Sequence, residues 1–170
     1  MTYEDILFQI SDGIAHITIN RPQVMNAFRG RTCEELIDAF NRAGWDKSVG
    51  VIVLGGAGDK AFCTGGDQSA HEGQYDGRGI IGLPVEDLQS IIRDVPKPVI
   101  ARVQGFAIGG GNVLATLCDF TIASEKAVFG QVGTESRVGR SGIRHRLSRA
   151  CDRRKKGSRN LVPMPSLHGE

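Results

Sequence analysis

Long apolar runs, paired cysteines and a phosphate-loop lysine are all missing from this 170-residue sequence. No apolar segment approaches the roughly 20 residues needed to span a membrane. The opening stretch MTYEDILFQI carries acidic residues and no long apolar core, so no signal peptide is expected. The four cysteines, Cys33, Cys63, Cys118 and Cys151, are scattered, with no CxxC pair and no histidine at ligand spacing. That pattern argues against a disulfide framework or a zinc site and favours reduced thiols in a cytoplasmic protein. Gly-Lys-Ser and Gly-Lys-Thr do not occur, which removes the Walker phosphate loop, and no GxGxxG stands in a dinucleotide-fold setting.

Charge is scarce only on average. The formal net charge is +2, which suggests no polyanionic partner. From Thr134 onward, however, ten Lys/Arg face three Asp/Glu, a surplus of seven positive charges, while residues 1–133 are short of neutrality by five. A mildly acidic body therefore carries a strongly basic tail. At 170 residues the chain suits one ordinary domain, with 40% apolar residues to build a core.

Along the body, ILFQI and IAHITIN read as strands joined by Ser11-Asp12-Gly13, which has hairpin-turn chemistry. Arg21-Pro22 opens a loop. Thr32 is placed to cap a helix with Glu35 as its capping-box partner, and Leu36, Ile37, Phe40 and Ala43 give that helix an apolar face ending near Gly44. VGVIVLGG reads as a strand buried on both faces of a parallel sheet. Then comes KAFCTGGDQSAHEGQYDGRGIIGLP, a long glycine-rich stretch of little periodicity. Residues 84–94 return to a helical pattern with Leu88, Ile91 and Ile92 inward. KPVIARVQG is another buried strand, FAIGGGNVLATLCD a turn leading into an apolar helix, and FTIASEKAVFG a strand. This alternation predicts an α/β fold with a largely parallel sheet. After Gly133 no period survives.

Two glycine clusters, CTGGD (63–67) and AIGGGN (107–112), each follow a buried strand. Turn geometry or close helix packing would account for either one alone. Taken together they allow a backbone N–H from each loop to meet at one carbonyl oxygen. The second cluster opens a helix, whose unpaired N–H groups and dipole favour negative charge. Glycine suits such a place because a side chain would block the approach of substrate.

NRPQVMNAF, KAFCTGGDQ and PKPVIARVQGFAIGGGNVLATLCDFTIASEKAVFGQVG, covering about residues 3–133 in order, resemble the crotonase (enoyl-CoA hydratase/isomerase) superfamily. The resemblance implies a spiral of ββα units, homotrimers or hexamers, and an acyl-CoA substrate in which coenzyme A is part of the substrate and no separate cofactor is used. It implies the N–H groups of Gly66 and Gly110 as the oxyanion donors. Thr64, Gly65, Asp67 and Gln68, with Phe106, Ala107, Ile108 and Gly109, would line the thioester and pantetheine.

The sequence also departs from the hydratases it resembles. They have a glutamate two residues beyond the glycine triplet, where this chain has Val113, and a second after the FGQ segment, where it has Gly133. Adding water to an enoyl-CoA by that route is therefore not expected. CTGGDQ and GGGNVL, with CDFTIA and FGQVG, instead resemble the branch containing naphthoate synthase and 2-ketocyclohexanecarboxyl-CoA hydrolase. FRGRTCEEL, HEGQYDGRGIIGLP and IRDVPKPVIARVQG are most similar to the hydrolase, which opens a ring through a thioester enolate. Asp67 and His71 are candidate acid–base groups, although Asp67 is better suited to fixing its loop, and Tyr75 is a candidate substrate contact.

In that branch FGQVG is followed by a segment resembling PKVGSVDPGYG, whose Asp and Tyr would move protons. This chain has no such segment, but the genetic code can supply one. Thr134-Glu135-Ser136 written ACC-GAA-AGT and read from the second base gives Pro-Lys and the start of Val. Arg137-Val138-Gly139 can give Gly-Ser-Val, Arg140-Ser141-Gly142 can give Asp-Pro-Gly, and Ile143-Arg144 can give Tyr-Gly. Residues 1–133 are thus expected to form an incomplete crotonase-like core without its C-terminal helices. Residues 134–170 are expected to be a disordered, frame-shifted tail, and the chain to be poorly active and prone to aggregate. The rival, a nucleic-acid-binding arm, is disfavoured because the tail has no aromatic residue on which bases could stack.

Overall fold

The computed structural model describes residues 2–67 and 83–131. Strands β1 (Ile6–Ser11) and β2 (Ile14–Ile19) form an antiparallel hairpin with Ser11 opposite Ile14. At its corner Asp12 (φ 51°) and Gly13 (φ 76°) are both left-handed, as a two-residue type I′ turn requires. The hairpin read from the sequence is present.

Helix α1 spans Gly30–Trp45, so it ends where its apolar period runs out but begins before the expected cap. Thr32 lies inside the first turn, where its hydroxyl accepts the Arg29 N–H (3.1 Å) and donates to the Asp5 carboxylate (2.6 Å). Glu35 reaches instead to the backbone N–H groups of Glu4 and Asp5. Both predicted capping residues are used, but Thr32 is the N3 member of a capping box with Arg29 rather than the N-cap of one with Glu35, and both side chains tie the helix to the residues just before β1.

The remaining elements follow in a regular order. They are β3 (Val51–Gly56), β4 (Ala61–Cys63), α2 (Val85–Asp94), β5 (Val99–Val103), β6 (Phe106–Ile108), α3 (Gly110–Leu117), β7 (Phe120–Ala123) and β8 (Val128–Gly130). Read in sequence this is ββα three times over and then two strands, the spiral implied by the family resemblance. A five-stranded sheet runs β1-β2-β3-β5-β7, parallel from β2 onward, and a second sheet runs β4-β6-β8, wholly parallel.

Three short strands differ from the sequence reading. KAFC supplies β4 from what reads as irregular glycine-rich chain. FAI is a strand rather than a turn. FTIASEKAVFG divides into β7 and β8, which belong to different sheets. In β3 the side chains alternate, Ile52 and Leu54 fully buried and Val51 and Val53 half-buried, so its two faces are not equally covered.

The core lies between the five-stranded sheet and the helices. Ile17, Ile52, Leu54 and Val99 share one buried cluster with Leu36 and Phe40 of α1 and Leu88 and Ile92 of α2. Each such side chain contributes roughly 1.5–3 kcal/mol on burial. Among the described residues no helix is long and apolar enough to cross a membrane.

Candidate active site

The small sheet brings the two glycine clusters together. β4 and β6 are parallel neighbours, Ala61 opposite Phe106, so the loops that leave them start from the same edge. In α/β sheets the carboxyl ends of parallel strands are where ligands bind. Thr64–Asp67 leave β4 there, and Gly109–Gly110 leave β6. Gly65 (φ 95°) and Gly109 (φ 55°) both adopt backbone that side chains disfavour.

The loops touch. A Cβ added to Gly65 would lie 3.1 Å from the Gly110 nitrogen, and one added to Gly110 would lie 3.3 Å from the Gly65 Cα. Behind them α3 presses onto β4 so closely that a Cβ at Gly111 would run into the Cys63 carbonyl.

The amide groups divide into used and unused. Gly65 N–H is directed at the Cys63 sulfur (3.4 Å), and Gly109 N–H donates to the Gly130 carbonyl (2.8 Å). Gly66 faces Phe28 in an isolated parallel bridge, with Phe28 N–H donating to Gly65 O (2.9 Å) and Asp67 N–H donating to Phe28 O (2.8 Å). Parallel pairing of this kind consumes the groups on either side of Gly66 and turns its own N–H away. Gly110 is the first residue of α3, where an N–H has no intrahelical acceptor. Among the described residues no acceptor meets the N–H of Gly66 or of Gly110.

Asp67 is built into the scaffold. Its Oδ2 accepts from Arg21 Nη2 at 2.9 Å, and the two side chains are 8% and 10% exposed. Arg21 also donates to the Ala27 carbonyl and stands 3.7 Å from Asp5. Asn26, left-handed at φ 56°, accepts the Arg21 N–H and donates to the carbonyls of Ala57 and Ala61. The segment Arg21–Phe28 thereby fastens the loop after β2 to both ends of β4. Thr64 takes part through its hydroxyl, which donates to the Met25 carbonyl (3.3 Å).

Phe106, Ala107 and Ile108 form strand β6, paired on both sides, with Phe106 at the end remote from Gly110 and its ring 42% exposed. Val113 lies half-buried one turn into α3, its N–H donating to Gly109 O. The helix from Gly110 to Leu117 contains no carboxylate. Burial pushes the Cys33 and Cys63 thiols up to about 12, which keeps them protonated and poor nucleophiles at neutral pH. Gln68, His71, Tyr75, Gly133 and the basic tail lie outside the described residues.

Sequence reasoning gave no role to Arg21, Asn26 or Phe28, although it singled out the segment that carries them. The available signal was local: an Arg-Pro pair followed four residues later by asparagine, which tolerates left-handed backbone.

Among the described residues, the structure therefore leaves two N–H groups without an acceptor on touching loops, one of them at a helix N-terminus, where backbone favours negative charge. One such donor is worth roughly 3–4 kcal/mol to a transition state.

Residues 9–155 match the enoyl-CoA hydratase/isomerase family. The match continues past Gly133, further than the residues 3–133 over which the likeness reads from the sequence. Among solved structures, the chain is similar to an enoyl-CoA hydratase from Mycobacterium avium subsp. paratuberculosis K-10, at 34% identity and TM-score 0.65, covering 75% of this chain and 48% of that one. A putative enoyl-CoA hydratase/isomerase (crotonase) from Legionella pneumophila is 35% identical, with TM-score 0.68 and coverage of 75% and 51%. An enoyl-CoA hydratase/carnithine racemase from Magnetospirillum magneticum is 29% identical, with TM-score 0.72 and coverage of 88% and 57%. The chain thus spans about half the length of the solved structures it matches.

Proposed function

Because this chain belongs to the enoyl-CoA hydratase/isomerase family, we propose that its paired glycine loops receive the thioester of an acyl-CoA and hold an enolate oxygen. The observation that carries this reading is the pair of amides, Gly66 and Gly110, that have no acceptor among the described residues, on touching loops at one sheet edge. Thr64–Gln68 and Phe106–Gly109 would line the thioester and pantetheine. Coenzyme A enters as part of the substrate, and trimers or hexamers are the expected assembly.

The finer proposal is ring opening of a 2-ketocyclohexanecarboxyl-CoA-type substrate. Water adds to the ring ketone and loses a proton to a base. The ring carbon–carbon bond then breaks towards the carbon next to the thioester. The electron pair moves onto the thioester oxygen, where two N–H groups can stabilise it, and protonation at carbon releases the open-chain acid. Val113 and Gly133, in place of the hydratases' glutamates, support this reading over hydration of an enoyl-CoA. The proton carriers would be the Asp and Tyr encoded in the alternative frame across Arg140–Ser141 and Ile143–Arg144.

On this proposal residues 134–170 follow one extra base near codon 133, and the chain as written turns over slowly. Because the family match extends to residue 155, the coding DNA is the decisive object. Sequencing should find codons whose second frame spells the missing segment; unrelated codons would refute the frame. A reframed chain should open the ring substrate much faster than the chain as written. Ring closure by the reframed chain, with no ring opening, would assign it to the naphthoate synthase-like alternative.

A further inference from the structure

We propose that Phe28 is the positioning residue that sets the separation of the Gly66 and Gly110 amides. The inference rests on reading those amides as oxyanion donors. The Phe28 ring, 3% exposed, reaches both glycines. A Cβ at Gly110 would lie 2.8 Å from its Cζ and 2.9 Å from its Cε1, and a Cβ at Gly66 would lie 3.8 Å from its Cε2. The ring therefore lies directly against Gly110 and in ordinary contact range of Gly66. It packs against both loops beside the point where Gly65 and Gly110 meet.

The ring is itself held from behind. The Phe28 backbone is bonded to Gly65 O and Asp67 N–H. On either side of that bridge, Arg21 grips the Ala27 carbonyl and the Asp67 carboxylate. The same few residues thus fix the β4 loop to Phe28, while the ring props the start of α3. This also gives Gly110 a steric reason to be glycine that is separate from substrate access: a methyl group there would collide with the ring. Interiors pack too densely for a missing ring to go unnoticed, and a displacement of about 1 Å in a reacting geometry can cost about a hundredfold in rate.

The test compares the full chain with Phe28→Ala and Phe28→Leu in two measurements. Crystal structures without ligand should show the Gly66 and Gly110 nitrogens displaced relative to one another by more than about 0.5 Å in the alanine variant, and by less in the leucine variant. The second measurement is the infrared carbonyl stretch of bound acetyl-CoA labelled with carbon-13 at the thioester carbon. Wild-type protein should lower that frequency, Phe28→Ala should lose most of the lowering while still binding the coenzyme portion, and Phe28→Leu should recover part of it. An unchanged amide separation, or an undiminished frequency shift in Phe28→Ala, would overturn the proposal. If the alanine variant does not fold, the leucine variant is judged by the same criteria. If wild-type protein does not bind acetyl-CoA, the functional reading fails, and the amide separation alone then decides the role of Phe28.

Discussion

Asp5 illustrates how much of this site is organised by residues that the sequence does not advertise. Its carboxylate is buried, which opposes ionisation, but hydrogen bonds from Arg29 and Thr32 and the charges of Arg29 and Arg21 outweigh burial and hold its pKa below the usual carboxylate range. A carboxylate depressed in the folded state adds stability above its unfolded pKa and loses it as pH falls through the folded value. Asp5→Asn should therefore cost about 2 kcal/mol near neutral pH, and the gap from wild type should narrow as pH drops below about 4. Denaturant melts across that range check the sign; a gap that stays constant would remove the charge from the argument. Such a role could not be read from the sequence. The four partners Asp5, Arg21, Arg29 and Asp67 are far apart in the chain and lack any local pattern. The two glycine clusters were legible because each follows a strand, whereas Gly66 and Gly110 within them were named by the family resemblance. That their amides lack an acceptor among the described residues follows only from the Phe28 bridge and the start of α3.

Elements with a period were readable, and those too short for one were not. The hairpin alternates with period two, and α1 and α2 each present an apolar stripe, so existence and type followed from the sequence. β4, β6 and β8 have three residues each, too few to show alternation, and they exist because distant strands pair with them. That small sheet is nonetheless the one that carries the site. Its contact with α3 makes a sharp prediction at Gly111. Alanine there gains about 1 kcal/mol of helix propensity, yet its Cβ would meet the Cys63 carbonyl. Overpacking against backbone should outweigh the gain, for a net loss of about 1–2 kcal/mol. Thr116→Ala, at an exposed position of the same helix, should be close to neutral. Equal stability of the two variants in urea would mean that α3 does not bear on β4 as described.

For the molecule as a whole, an acidic body of ββα units carries a basic stretch from Thr134 onward, in a chain about half as long as the solved structures it matches. The body alone supplies both candidate donors, whatever the coding DNA shows about the tail. Thioester recognition is therefore open to test in the chain as it stands. The most direct measurement is calorimetric titration with acetyl-CoA and with its thioether analogue, in which a methylene replaces the carbonyl. Two N–H···O bonds at a net 0.5–1.5 kcal/mol each predict that the thioester binds tighter by about 1–3 kcal/mol, which is about thirtyfold at the middle of that range. Equal affinity for the two ligands, or no binding of either, would contradict the assignment of Gly66 and Gly110 as the groups that hold the thioester oxygen.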